Sequence, residues 1–250
     1  MPSTGDEIKI GVAGWSIPKT YASCFPVDGS HLDRYSQRLP AVEINSSFYR
    51  PHRASTYERW ATSVPPEFRF AVKMPKEITH LRRLADVTEP LARFLSEVRA
   101  LGPKLGPVLI QLPPSLAFRQ DPVAGFLDRL RGSFDGNLAC EPRHPSWFVD
   151  EVDHLLITHH VTRVAADPAP VPRAAEPAGW RALTYYRLHG SPRMYYSPYP
   201  QPYLEGLRRK LEATEGEVWC IFDNTAEGAA THDALLTLHP SKKCFEERQK

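Results

Sequence analysis

The residues best suited to chemistry cluster first in Leu138–Trp147, where a short apolar run stops at Glu141 and Arg143 and His144 follow between two prolines. A carboxylate, a guanidinium and an imidazole within four residues suit proton transfer and anion binding better than a core. Elsewhere the same pattern recurs, with apolar runs ending in Glu43 and Asn45, Lys73, Gln111, Asp167, Arg187 and His189, and Asp223. Glu141 is the leading general acid or base, because a carboxylate beside cations has an easily tuned pKa. His189 or Glu43 would be its partner. Lys73, Arg143 and Arg187 would grip a phosphate or carboxylate, arginine through its bidentate fork. The competing reading is structural, with Glu43–Lys73 as a buried ion pair and the cations balancing Glu43, Glu141, Asp167 and Asp223.

A metal offers a different chemistry for some of the same residues. Glu141, Asp167, His189 and Asp223 end four successive apolar runs, an oxygen-rich set with one imidazole that suits Mn²⁺ or Mg²⁺. Arg143 and Arg187 would compete with such a cation, so no cofactor is expected. A third reading is non-catalytic binding of a nucleotide or nucleic acid through cations and tyrosines together.

Positioning these side chains requires regular elements. Eight runs have strand character: Ile8–Trp15, Ala41–Asn45, Phe68–Lys73, Val108–Leu112, Leu138–Glu141, Thr162–Asp167, Leu183–His189 and Val218–Asp223. Amphipathic helical patterns separate them, such as Tyr57, Trp60, Ala61 and Val64 with Ser55 as N-cap, and Leu91, Phe94, Leu95 and Val98 after Thr88-Glu89-Pro90. Pro168–Trp180 alone shows no helical period and reads as a Pro-rich crossover between strands six and seven. Alternating strands and helices over 250 residues predict a single (β/α)₈ TIM barrel spanning 1–250, ahead of a doubly wound sheet, since no glycine-rich phosphate loop follows any strand.

Strand parity links that fold to a site. With Val42, Ile44, Phe70 and Val72 toward the helices, the inward residues run from small or apolar to polar two positions on. The pairs are Ala13–Trp15, Ala41–Glu43, Ala71–Lys73, Leu109–Gln111, Ala139–Glu141, Ala165–Asp167, Tyr185–Arg187 and Ile221–Asp223. The polar member always lies at the C-terminal end of its strand, where barrel enzymes carry their chemistry. Asn45 and His189 continue two of these faces.

Bulk properties narrow the partners. Net charge +2 and pI near 8.3 give no global excess to hold nucleic acid, and no apolar run is long enough to span a bilayer. The polar, acidic start shows no signal-peptide pattern. Cys24, Cys140, Cys220 and Cys244 are widely spaced with no C-x-x-C pair, against a zinc knuckle or a disulfide scaffold and in favour of the cytoplasm. The partner expected is a small anionic molecule; the sequence is silent on oligomeric state.

Several motifs, in order, resemble the YecE-like family (domain of unknown function 72). They are Gly11-Val-Ala-Gly-Trp15, Val42-Glu-Ile-Asn-Ser-Ser-Phe-Tyr49, Phe70-Ala-Val-Lys73, Gln111-Leu-Pro-Pro114, Glu141-Pro-Arg-His144 with Trp147, Arg187-Leu-His-Gly190 and Phe222-Asp-Asn224. The resemblance implies a TIM barrel and no settled activity. It carries the family's motif positions onto Glu43, Asn45, Tyr49, Lys73, Gln111, Glu141, Arg143, His144, Arg187, His189 and Asn224. Asp223 departs from the family, where an asparagine is usual, so an ionised group there is not a family-wide requirement. His232-Asp233-Ala234 departs likewise.

Two loops complete the expected site. Gly190-Ser191 and Asn224–Gly228 follow strands seven and eight, where such barrels often bind phosphate. Ser191–Pro202 carries Tyr195, Tyr196 and Tyr199 between prolines, a candidate lid whose rings would stack on a sugar or base. Trp15, Tyr195 and Tyr196 therefore join the substrate-binding candidates.

Overall fold

The structure, a computed structural model, describes residues 8–239. Its strands form one sheet that wraps into a TIM-like barrel. Five come in sequence order, β1 (Lys9–Ala13), β2 (Ala41–Ile44), β3 (Arg69–Lys73), β4 (Leu105–Gln111) and β5 (Leu138–Glu141), each parallel to the last. On the other side of β1 lie β10 (Glu217–Phe222) and then β9 (Leu183–Leu188), also parallel.

The sixth run is divided at Val164. Its first part, β6 (Val161–Arg163), pairs with β5, whereas β7 (Ala165–Asp167) pairs with β9. That step carries the chain across the seam, and the Thr162 hydroxyl reinforces it by donating to the Leu183 carbonyl at 2.9 Å. A two-residue strand, β8 (Ala178–Gly179), pairs antiparallel with β6.

Seven α-helices are described: α1 (His31–Ser36), α2 (Ala54–Thr62), α3 (Thr88–Val98), α4 (Gln120–Arg131), α5 (Asp150–Thr158), α6 (Gln201–Glu212) and α7 (Ala229–Leu238). The crossover 168–180 has no helix beyond a 3₁₀ turn, Pro172–Ala175, so the eightfold β-α repeat lacks one α-helix among the described residues. Helix starts differ in detail from the sequence reading. Ser55 lies inside α2, whose N-cap position is Arg53, and Ser30 forms a capping box with Asp33 at α1.

Two apolar layers hold the barrel. Between strands and helices lies the larger, in which Tyr35 of α1 reaches the sheet, accepting from the Val12 amide and donating to the Ala41 carbonyl, both at 2.9 Å. Inside the barrel a second layer comprises mainly Ala41, Ala71, Leu109, Ala139, Val164, Tyr185, Trp219 and Ile221. Gly106 makes room for the Trp219 indole, since a Cβ there would stand 2.6 Å from it. Gly11 likewise lets β1 and β2 close up, a Cβ falling 2.2 Å from the Ala41 oxygen.

Cys140 and Cys220 are buried free thiols. Cys24 is disulfide-bonded, a bridge that the wide spacing of the cysteines does not suggest. No described helix is long and apolar enough to cross a membrane.

Candidate functional site

The inward parity holds to the strand end in six of the eight runs; in the first, Ala13 borders the inner layer but Trp15 packs with the outer one. Glu43, Lys73, Gln111, Glu141, Arg187 and Asp223, from β2, β3, β4, β5, β9 and the end of β10, are all buried, above the small-residue layer. In the sixth run the parity is reversed. Val164, not Ala165, belongs to the inner layer. Asp167 turns outward, accepting from the Tyr199 hydroxyl at 2.8 Å. Paired alanines at 165 and 166 carry no directional signal, and Arg163, which would read as inward, is satisfied outside by Asp153 at 2.8 Å.

Arg187 is the hub. Its Nε donates to Glu43 Oε2 at 3.1 Å and its Nη1 to Glu141 Oε2 at 2.6 Å, while Nη2 donates to Glu43 Oε1 at 2.7 Å and Asp223 Oδ2 at 3.0 Å. Tyr185 donates to Glu43 Oε2 at 2.9 Å and Gln111 to Glu141 Oε2 at 3.0 Å. The expected Glu43–Lys73 ion pair is absent: both Glu43 oxygens are taken by Arg187 and Tyr185. Arg187 is therefore not an open anion clamp, because three carboxylates enclose it completely.

His189 occupies the other side of the carboxylates. Nδ1 lies 3.0 Å from Asp223 Oδ2, and Nε2 lies 2.7 Å from both Glu141 Oε1 and Arg143 Nη2. Arg143 also pairs with Glu141 Oε1 at 2.7 Å. No single protonation state satisfies all of these contacts. An imidazolium donates to both carboxylates but sets its Nε2 proton against a guanidinium. A neutral ring protonated on Nδ1 accepts from Arg143 but turns a lone pair toward Glu141.

Electrostatics follow from this crowding. Burial opposes ionisation of Glu141, yet Arg187, Arg143 and His189 outweigh it and hold its carboxyl well below the usual carboxylate range. Asp223 is lowered in the same way, burial being overcome chiefly by Arg187 and His189. For Lys73, burial and then the Arg187 charge bring the ammonium down to about 8.

Other sequence candidates are placed around this cluster. Tyr195 lies edge-on to His189, 5.8 Å between rings, and is partly exposed. Tyr196 instead stacks on Arg193, 3.7 Å away, and Tyr199 is a buried strut joining Asp167 to the Gly190 amide, which its hydroxyl accepts at 2.9 Å. His144 turns away to cap the 145–147 turn through Ser146. Asn224 holds the Ser197 carbonyl and Asp233. Trp15 packs against Trp60, and Tyr49 is largely exposed against Phe48. Asn45 Oδ1 and Arg143 Nε are buried without a hydrogen-bond partner among the described residues.

The metal set does not assemble. Asp167 is directed away, and both His189 nitrogens face carboxylates that Arg187 already neutralises. Among the described residues no three His, Cys, Asp or Glu side chains are arranged to hold a metal. Sequence reasoning passed over Phe48, His80 and Asp233. His80 follows Lys73 within a π-helical turn, Glu77–Leu81, a type of irregularity common at functional sites. That signal is invisible to a search by strand parity.

Residues 9–243 match the family described as "Protein of unknown function DUF72". The chain belongs to the DUF72 family. It is 31% identical over 176 residues to the UPF0759 protein YecE of Escherichia coli K12, across 68% of this chain and 62% of YecE, so less than two thirds of that relative's length is matched. UPF0759 protein YunF of Bacillus subtilis 168 is 25% identical, across 92% of this chain and 93% of YunF. Crystal structures of DUF72 family proteins share the fold. One from Enterococcus faecalis V583 has a TM-score of 0.78 at 21% identity, covering 92% of this chain and 94% of its own. One from Thermotoga maritima MSB8 has a TM-score of 0.75 at 24% identity, covering 93% and 98%.

Proposed function

We propose that this DUF72 protein is an enzyme acting on a small anionic substrate, with His189 and Glu141 as the acid–base pair at the C-terminal end of the barrel. One observation carries the reading: the fully buried His189 imidazole lies between Glu141 and Asp223, with Arg143 on the nitrogen that faces Glu141. A purely structural network would be expected to settle into one satisfied protonation state. This one leaves a proton position contested, which suits a group that gives and takes protons.

Glu43 and Arg187 then form the charge floor that fixes Glu141 and Asp223 in place, a positioning role. Arg143 is the anion contact: its side chain reaches solvent in part, and its buried Nε has no partner among the described residues. Tyr195 covers the imidazole from above. Three carboxylates face two guanidiniums, so one further positive charge, on His189 or Lys73, neutralises the group.

Thermal-shift measurement against phosphorylated and carboxylated metabolites tests the reading. At least one compound should raise Tm in the native protein and lose that effect in Arg143→Ala. An equal shift in Arg143→Ala, or none with any compound, would remove the anion site.

A further inference from the structure

Lys73 ends β3 at the barrel mouth and is buried, yet its Nζ forms no ion pair or hydrogen bond among the described residues. Instead it lies 4.2 Å from the centroid of the Phe48 ring. The Phe48 ring also lines a cavity of about 480 Å³ whose wall includes Arg50 and Lys76. His80 packs edge-on against the same ring at 4.9 Å. A lysine kept for a direct ion pair would be drawn onto Glu43, whose oxygens are instead engaged by Arg187 and Tyr185. The geometry leaves an amine without an ion pair over a ring that also lines the cavity, whose wall sets Arg50, Lys76, Arg82 and Arg93 against Glu77 and Glu97.

Building on the reading of the barrel mouth as an active site, we propose that Lys73 is an amine nucleophile that forms an imine with a small aldehyde or 2-oxo acid. The anionic group of that carbonyl compound would lie toward Arg50 and Lys76. The Nζ lone pair forms the C–N bond as the carbonyl π pair moves to oxygen. That oxygen takes one proton from Nζ and one from the acid–base groups of the cluster and leaves as water. The product is a protonated imine, and no oxidant or metal is required. The Lys73 ammonium, brought down to about 8 by burial and Arg187, supplies about a hundredfold more free amine near neutral pH than an ordinary lysine.

Borohydride trapping with glyoxylate and with glyceraldehyde 3-phosphate, followed by peptide mapping, tests the proposal on the whole protein. Lys73 should carry the reduced adduct well above every other lysine, and labelling should rise with pH through about 8. Lys73→Arg should abolish that label while keeping its circular dichroism. Arg50→Ala with Lys76→Ala should slow labelling by glyoxylate and leave labelling by neutral propionaldehyde unchanged. Adduct spread over other lysines with Lys73 unmodified would overturn the proposal, even if an anion still raises Tm through Arg143. Adduct at Lys73 with no Arg143-dependent ligand would instead remove the Arg143 anion site and leave the nucleophile.

Discussion

Arg187→Met is expected to leave three buried carboxylates without their common partner, at a cost of about 3–5 kcal/mol, seen as a lower urea midpoint at unchanged m-value. Arg143→Ala should cost clearly less, because its side chain is partly open to solvent. Equal losses would contradict the separation of hub from anion contact. Acid tests the same residues. Glu141 and Asp223 have folded pKa values below their ordinary 4.5 and 3.8. Their stabilisation is therefore fully present above those values and lost as pH falls through the lower folded values. Urea midpoints should drop steeply below about pH 4.5, and Glu141→Gln should flatten that drop. At this scale the sequence reading located most of the cluster, because strand alternation puts Glu43, Lys73, Glu141 and Arg187 on one side. It could not assign partners. Arg187 has the longest reach inside the barrel and satisfies Glu43, Glu141 and Asp223 at once, which spacing along the chain does not reveal.

Among the elements, the divided sixth strand is the least conventional. Thr162 donates from one hydroxyl toward the Trp180 and Leu183 carbonyls, at 2.7 and 2.9 Å. Thr162→Val leaves both without that donor and should cost about 1–3 kcal/mol, with amide exchange accelerated first in β6 and β9. Exchange raised uniformly across the sheet would argue against a local seam. Most strands and helices were legible because period-two and period-3.6 patterns are strong along them, α5 (Asp150–Thr158) being a weaker helical pattern. The sixth strand was not, since its direction is set by Arg163–Asp153 outside and Asp167–Tyr199 beyond it, contacts far apart in sequence. The same outward turn of Asp167 removes it from the other three strand ends read as a metal set, Glu141, His189 and Asp223, which meet around the imidazole.

For the whole molecule, the inner apolar layer under a ring of charges joins β1 to β5 with β9 and β10. Unfolding as one cooperative transition is the expected behaviour of a single domain, with fluorescence and circular dichroism coinciding. Two separated transitions would argue for independent parts. On the proposed reading, packing lies in the inner layer and proton chemistry in the cluster above it. For any compound that raises Tm through Arg143, product formation followed by proton NMR in the native protein and in His189→Asn tests this most directly. Conversion by the native protein, with His189→Asn still binding but converting at least about a hundredfold more slowly, is the predicted result. Undiminished conversion by His189→Asn would contradict it.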